Sequence, residues 1–166
     1  MISKESTVKK IQKEISSQNY DDGIKFIEHN KRDLVEIDYW YYLSLCARYS
    51  KKHNEALVIL NNVIKIDPSY ARAYQEFGHN YFKLNNYKMS LKSYLRAVRY
   101  NPTLHASWLG ILGIKNVEQN IIDLATQNVL YLKNLPPELK SVSSFIYEGK
   151  YKNCLLYTSP SPRDPN

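Results

Sequence analysis

Six side chains in this 166-residue chain are of the types that most often bind a metal or attack a substrate: His29, His53, His79, His105, Cys46 and Cys154. A zinc site needs several ligands brought together, written as Cys-x-x-Cys pairs or as His-Glu-x-x-His on one helix face. Neither pattern occurs, and the histidines stand singly with no paired spacing. A phosphate-cradling loop needs clustered glycines, and five Gly scattered along the chain supply none. A Ser or Cys nucleophile needs a positioned base, and no such partner is legible. Cys46, between Leu45 and Ala47, reads as a packed small hydrophobe rather than a reactive thiol. The expectation is a chain without enzymatic chemistry of its own and without a cofactor or metal.

The elements behind these residues follow from spacing. Apolar side chains recur three, four and seven apart, the signature of one helical face, and the pattern repeats every 34 residues. Trp40 aligns with Tyr74 and Trp108, Leu43 with Phe77 and Ile111, Leu60 with Tyr94, Val63 with Ala97, and Pro68 with Pro102. The small residues Ala56 and Ser90 align too. Each unit therefore reads as two helices closed by Asp67-Pro68 or Asn101-Pro102. Polar breaks at residues 50–54 and 84–87 are short enough to force antiparallel neighbours.

These residues resemble the tetratricopeptide repeat, in which a large aromatic on the first helix meets a small residue on the second. The second unit supplies Tyr74, Phe77, Gly78, Tyr81, Ser90, Tyr94 and Pro102; the first has Ser44 and Ala47 where the pattern has Gly and Tyr. The resemblance implies an all-α fold, a right-handed α-solenoid of antiparallel helix hairpins. The expected organisation is a degenerate N-terminal hairpin over 1–36, repeats over 37–70 and 71–104, and a degenerate repeat over 105–134. The first helix of a further unit is expected over 135–153. Within the degenerate repeat, 117–132 reads as the second helix. Since such units bury their core only against neighbours, the two good repeats need the flanking ones.

The last residues, 154–166, break abruptly into Ser-Pro-Ser-Pro-Arg-Asp-Pro. Residues 154–164 resemble the in-frame translation of a transposase-based sequencing adapter. They are expected to be a non-native, disordered tail that replaces a natural continuation.

Composition bounds the rest. With 43% hydrophobic and 13% aromatic residues the chain has material for a core. The N-terminus lacks a secretory pattern, no apolar run is long enough to span a bilayer, and two cysteines do not make a disulfide framework, so a cytoplasmic location is expected. Net charge is +7 and uneven: residues 37–104 carry ten basic and four acidic side chains, so most of the excess sits there.

What remains is surface. In solenoids of this kind the first helix of each hairpin lines the concave groove. The positions expected to face outward there include Tyr41, Arg48 and Tyr49 in one unit, with Arg72, Gln75, Glu76, His79, Phe82 and Lys83 in the next. Aromatic anchors beside basic donors suit a protein or peptide partner carrying carboxylates; equally, Tyr41, Tyr49 and Phe82 suit packing between helices. The Lys and Asn with which chaperone-binding members grip a terminal carboxylate are replaced by Tyr41, Leu45, Glu76, Ala106 and Gly110, so that clamp is not expected. Lys88, Lys92, Arg96 and Arg99 form a stripe on one helix. Without interleaved aromatics for base stacking, nucleic acid is not the expected partner, and a solvated face is the plainer reading.

Three segments are similar to something more specific. Residues 70–79, 101–108 and 135–150, the last beginning Leu-Pro-Pro-Glu-Leu and ending Glu-Gly-Lys, resemble in order the N-terminal region of bacterial tetratricopeptide-repeat sulfotransferases. That resemblance implies a parent enzyme using phosphoadenosine phosphosulfate through a separate catalytic domain. No part of its phosphosulfate loop is in this chain. A stand-alone scaffold or adaptor in an assembly or secretion complex is the alternative.

Overall fold

The computed structural model describes residues 4–135, and every described element is helical. The order is α1 (Lys4–Ser16), α2 (Tyr20–His29), a short 3-10 turn (Lys31–Asp33), α3 (Glu36–Tyr49), α4 (His53–Ile66), α5 (Ala71–Lys83), α6 (Tyr87–Tyr100), α7 (His105–Leu112) and α8 (Gln119–Asn134). Successive helices pack as antiparallel hairpins, and each hairpin packs on the next, so the chain is an α-solenoid. The helix expected after Leu135 and the tail over 154–166 lie outside the described residues.

The 34-residue period is written into the backbone. The first helix of each hairpin ends one or a few residues before a non-glycine residue in the left-handed region: Gln18 (φ 62°), Lys51 (62°), Asn85 (58°) and Asn116 (60°). At the first three sites the turn closes in the same way, with the orphan carbonyls of the last helical turn accepting from beyond it. Lys51 N donates to Arg48 O and Lys52 N to Ala47 O, both at 2.9 Å; Asn85 N and Asn86 N repeat this on Phe82 O and Tyr81 O. Asn86 also caps α6, its Oδ1 accepting from Met89 N.

Loops between hairpins repeat as well. Asp67 Oδ1 accepts from Ser69 N and Oγ at 2.8 and 2.6 Å, and 34 residues on Asn101 Oδ1 accepts from Thr103 N and Oγ1 at 3.0 and 2.6 Å. Each loop is then tied to the helix that follows. Tyr74 Oη donates to Pro68 O and Trp108 Nε1 to Pro102 O, both at 2.8 Å. The aligned aromatics thus anchor the proline loop in addition to filling the core.

Core packing runs along the array. Ile11, Ile27, Leu60, Val63, Ala73, Phe77 and Ala97 are buried in one cluster spanning α1 to α6; Tyr94, Val98, Trp108, Ile111 and Ala125 form a second over α6 to α8. Trp40 is half-buried and packs with Leu43 against Ala47, Ala56 and Ile59.

Two local readings are corrected. The helix expected over 117–132 runs over Gln119–Asn134, because Asn116 is left-handed and Glu118 is extended (φ −58°, ψ 140°), which delays its first turn. The break expected over 50–54 is shorter: His53 and Asn54 already belong to α4, since the reversal at Lys51 needs only one left-handed residue.

Candidate functional site: a groove across the first helices

A groove of about 760 Å³ crosses the C-terminal end of α3, the turn into α4, the second half of α5 and the face of α7. Arg48, Tyr49, Lys51 and His53 line it from α3, the turn after it and the start of α4, His79, Phe82 and Lys83 from α5, Tyr94 from α6, and Ala106, Leu109, Gly110 and Gly113 from α7 and its C-terminal end. Leu109 is exposed and Phe82 half-exposed, so both present apolar surface to the groove. Lys51 and Lys83 stand at its edge, both exposed, and neither has a carboxylate partner among the described residues.

The charge beneath the groove is organised differently from that at its rim. Glu76 is 3% exposed and receives Arg48 Nε at 2.5 Å, an ion pair between α5 and α3. Burial raises the Glu76 carboxyl above its ordinary value, while Arg48 pulls it back down. Burial works against the Arg48 charge, yet Glu76 and the neighbouring Tyr49 outweigh it and leave its pKa raised. Arg48 also lies 4.0 Å over the Tyr49 ring. Glu76 is therefore not an outward-facing residue, and Arg48 is already committed to it.

At the groove floor Tyr94 Oη and His79 Nδ1 are 2.7 Å apart. Burial, with the Arg48 and Lys83 charges nearby, lowers His79 to about 4. Burial, with the Glu76 charge second, raises the Tyr94 hydroxyl beyond its usual range. Both partners are thus neutral at neutral pH, and the bond is structural rather than a proton relay. Burial likewise raises the Cys46 thiol to about 11, in keeping with a fully buried side chain.

A second recess of about 470 Å³ lies on the N-terminal side, between α1, α3 and α5, with Gln12, Tyr20, Tyr42, Leu45 and Arg72 in its lining. Tyr49 is part of the wall of both cavities. Its ring stacks on Tyr20 with centroids 5.4 Å apart.

The expected groove residues divide accordingly. Arg48, Tyr49, His79, Phe82 and Lys83 line the larger groove, and Tyr41, Tyr49 and Arg72 the smaller recess. Tyr41 is only 6% exposed and meets Tyr42 and Tyr70 edge-on, so it packs more than it projects. Gln75 lines neither cavity; its Oε1 accepts from Ser107 Oγ at 3.1 Å and links α5 to α7. Phe82 is also packed edge-on against Tyr87. Lys51, His53, Leu109 and Gly113 also line the larger groove; Lys51, His53 and Gly113 sit at helix ends, where periodicity carries little information, and Leu109 lies within the short α7. His53 is held there by a 3.0 Å contact between its Nδ1 and Asn80 Oδ1.

Comparison with known proteins finds a similarity over part of the chain. Residues 71–104, which are α5, α6 and the loop between them and α7, match the tetratricopeptide repeat. The chain is also 28% identical over 120 residues to anaphase-promoting complex subunit 3 of Schizosaccharomyces pombe. The match spans 70% of this chain and 18% of that protein, so the similarity concerns a minor part of the relative's length. Among the described residues, no group of three or more His, Cys, Asp or Glu could hold a metal ion, and no helix is long and apolar enough to cross a membrane.

Proposed function

We propose that this chain is a protein-interaction scaffold that receives an extended or helical segment of a partner in the groove across α3, α5 and α7. The single observation that carries the reading is the pairing of the apolar side chains Phe82 and Leu109 with the cations Lys51 and Lys83, which have no carboxylate partner among the described residues, in one groove. A segment with an apolar anchor flanked by Asp or Glu is complementary to that surface. The similarity to a subunit of a multiprotein complex supports a scaffold within an assembly. It bears neither on a sulfotransferase parent nor on a bacterial source, which rest on the resemblance of residues 70–79, 101–108 and 135–150 alone.

The test is selection of dodecapeptides from a random displayed library on the whole chain, followed by affinity measurement on Lys51→Ala and Lys83→Ala. Both side chains are exposed and without a described carboxylate partner, so helicity should be unchanged. Selected peptides should combine an apolar anchor with acidic neighbours and lose about tenfold in affinity with Lys83→Ala, roughly one charge-assisted hydrogen bond. Equal affinity for both variants and the parent chain counts against the groove.

A further inference from the structure

The helix α6 carries four cations, Lys88, Lys92, Arg96 and Arg99, and no acid. All four are exposed, and none has a carboxylate partner among the described residues. They fall within one face of the helix and extend over about 16 Å, at about 1.5 Å per residue. The face lies away from the groove, which α6 reaches only through Tyr94.

The repeat itself does not require this charge. At the matching positions of α4, 34 residues earlier, stand Asn54, Val58, Asn62 and Lys65, and Val58 is 67% exposed. A neutral outer face is therefore compatible with the same hairpin, and three of the four cations are particular to α6.

One of them is also held in place. The Arg96 guanidinium lies 4.4 Å over the Tyr74 ring and 5.8 Å from the Tyr100 ring, and the two rings stack with centroids 5.6 Å apart. Stacking leaves the edge donors of a guanidinium free and reduces the entropy lost when they bind a planar carboxylate. The same packing argues against single-stranded nucleic acid. Tyr74 is buried, and Tyr100 is stacked on it, so the stripe lacks the succession of free ring faces on which bases would lie.

We propose that the outer face of α6 is a second docking surface, for an acidic helical segment of a partner protein whose Asp or Glu side chains recur about once per turn. Cations about 6 Å apart along α6 match carboxylates at four-residue intervals on an opposed helix. A partner seated there leaves the groove open, so the hairpin of residues 71–104 has two independent faces.

The test uses the whole chain and a fluorescein-labelled, alanine-based 21-residue peptide with Glu at every fourth position. The variant Lys88→Ala/Lys92→Ala/Arg99→Ala spares Arg96 and its ring contacts. A control, Lys13→Ala/Lys115→Ala/Lys133→Ala, removes the same net charge elsewhere. The expected result is saturable binding that weakens with salt, at least a tenfold loss in the stripe variant, and less than a twofold change in the control. Circular dichroism should show equal helicity in all three proteins. No saturable binding, no loss in the stripe variant, or an equal loss in the control overturns the proposal. So does tighter, stripe-dependent binding of a 20-nucleotide oligodeoxythymidine or of phosphatidylserine vesicles.

Discussion

Gly78 of α5 lies flat against the ring of Tyr94 of α6: a Cβ at Gly78 would sit 2.4 Å from the ring carbons Cδ1 and Cε1. Gly110 of α7 presses on the same ring from the next hairpin, where a Cβ would also come within 2.4 Å. Tyr94 is 2% exposed and is thereby the joint at which three helices meet.

Gly78→Ala pits two effects against each other. Alanine gains up to about 1 kcal/mol of helix propensity over glycine, while forcing a methyl into a packed ring costs about 1–3 kcal/mol. Because Gly110 also abuts the ring, at Cζ, Cε2 and Cε1, the ring has little room to yield, and a net loss of about 1–2 kcal/mol is expected in urea unfolding. A gain in stability would mean the ring has room to move. Combining Gly78→Ala with Tyr94→Leu should recover most of the alanine penalty.

Arg48→Ala should destabilise by about 3 kcal/mol, because it leaves the Glu76 carboxylate buried and unpaired. The double substitution Arg48→Met/Glu76→Leu should restore much of that loss, since apolar replacement of a buried pair is often close to neutral. A surface pair would give less than about 1 kcal/mol for Arg48→Ala. Thermal unfolding of the three proteins separates the cases.

His79 sets a pH dependence of known sign. Its value of about 4 in the folded chain lies below the ordinary 6.5, so between them the unfolded chain takes up a proton that the folded chain refuses. Its contribution is whole above about 6.5 and is lost as pH falls toward about 4. Glu76, raised by burial, works in the opposite sense above its ordinary 4.5, and Arg48, Lys83 and Tyr94 are the other ionisable groups around the imidazole. The diagnostic is thus a difference: His79→Gln should show a shallower loss of stability than the parent chain from pH 6.5 to 4.5. Parallel curves would place His79 in solvent.

Trp40→Ala should cost about 3 kcal/mol, as truncation of a large packed side chain does. Trp40 covers Ala47, Ala56 and Ile59, so the loss should be read by chemical denaturation together with retained helicity at low denaturant. A cost well under 1 kcal/mol would mean that the indole faces water.

The hairpins and their loops were legible because the period of 34 places like residues in like environments. Pro68 and Pro102, and Tyr74 and Trp108, announce the same loop and the same anchor twice. The site was legible only in part. The position of Glu76 on α5 looks outward by helical phase, but its burial is decided by Arg48, 28 residues away on another helix. Phase along one helix cannot report what a neighbouring helix brings. The groove residues at helix ends, Lys51 and His53, escape for a related reason: their placement follows from a left-handed turn at Lys51, and lysine does not advertise that conformation as glycine would.

The central claim is that a partner segment binds in the groove across α3, α5 and α7. The most direct measurement is an amide chemical-shift titration of the isotope-labelled chain with the tightest peptide obtained from the library. The account predicts the largest shifts at Lys51, His79, Phe82, Lys83, Leu109, Gly110 and Gly113, with α2 and the far end of α8 unchanged. Shifts concentrated on α2 or α8, with the groove amides unmoved, would contradict it.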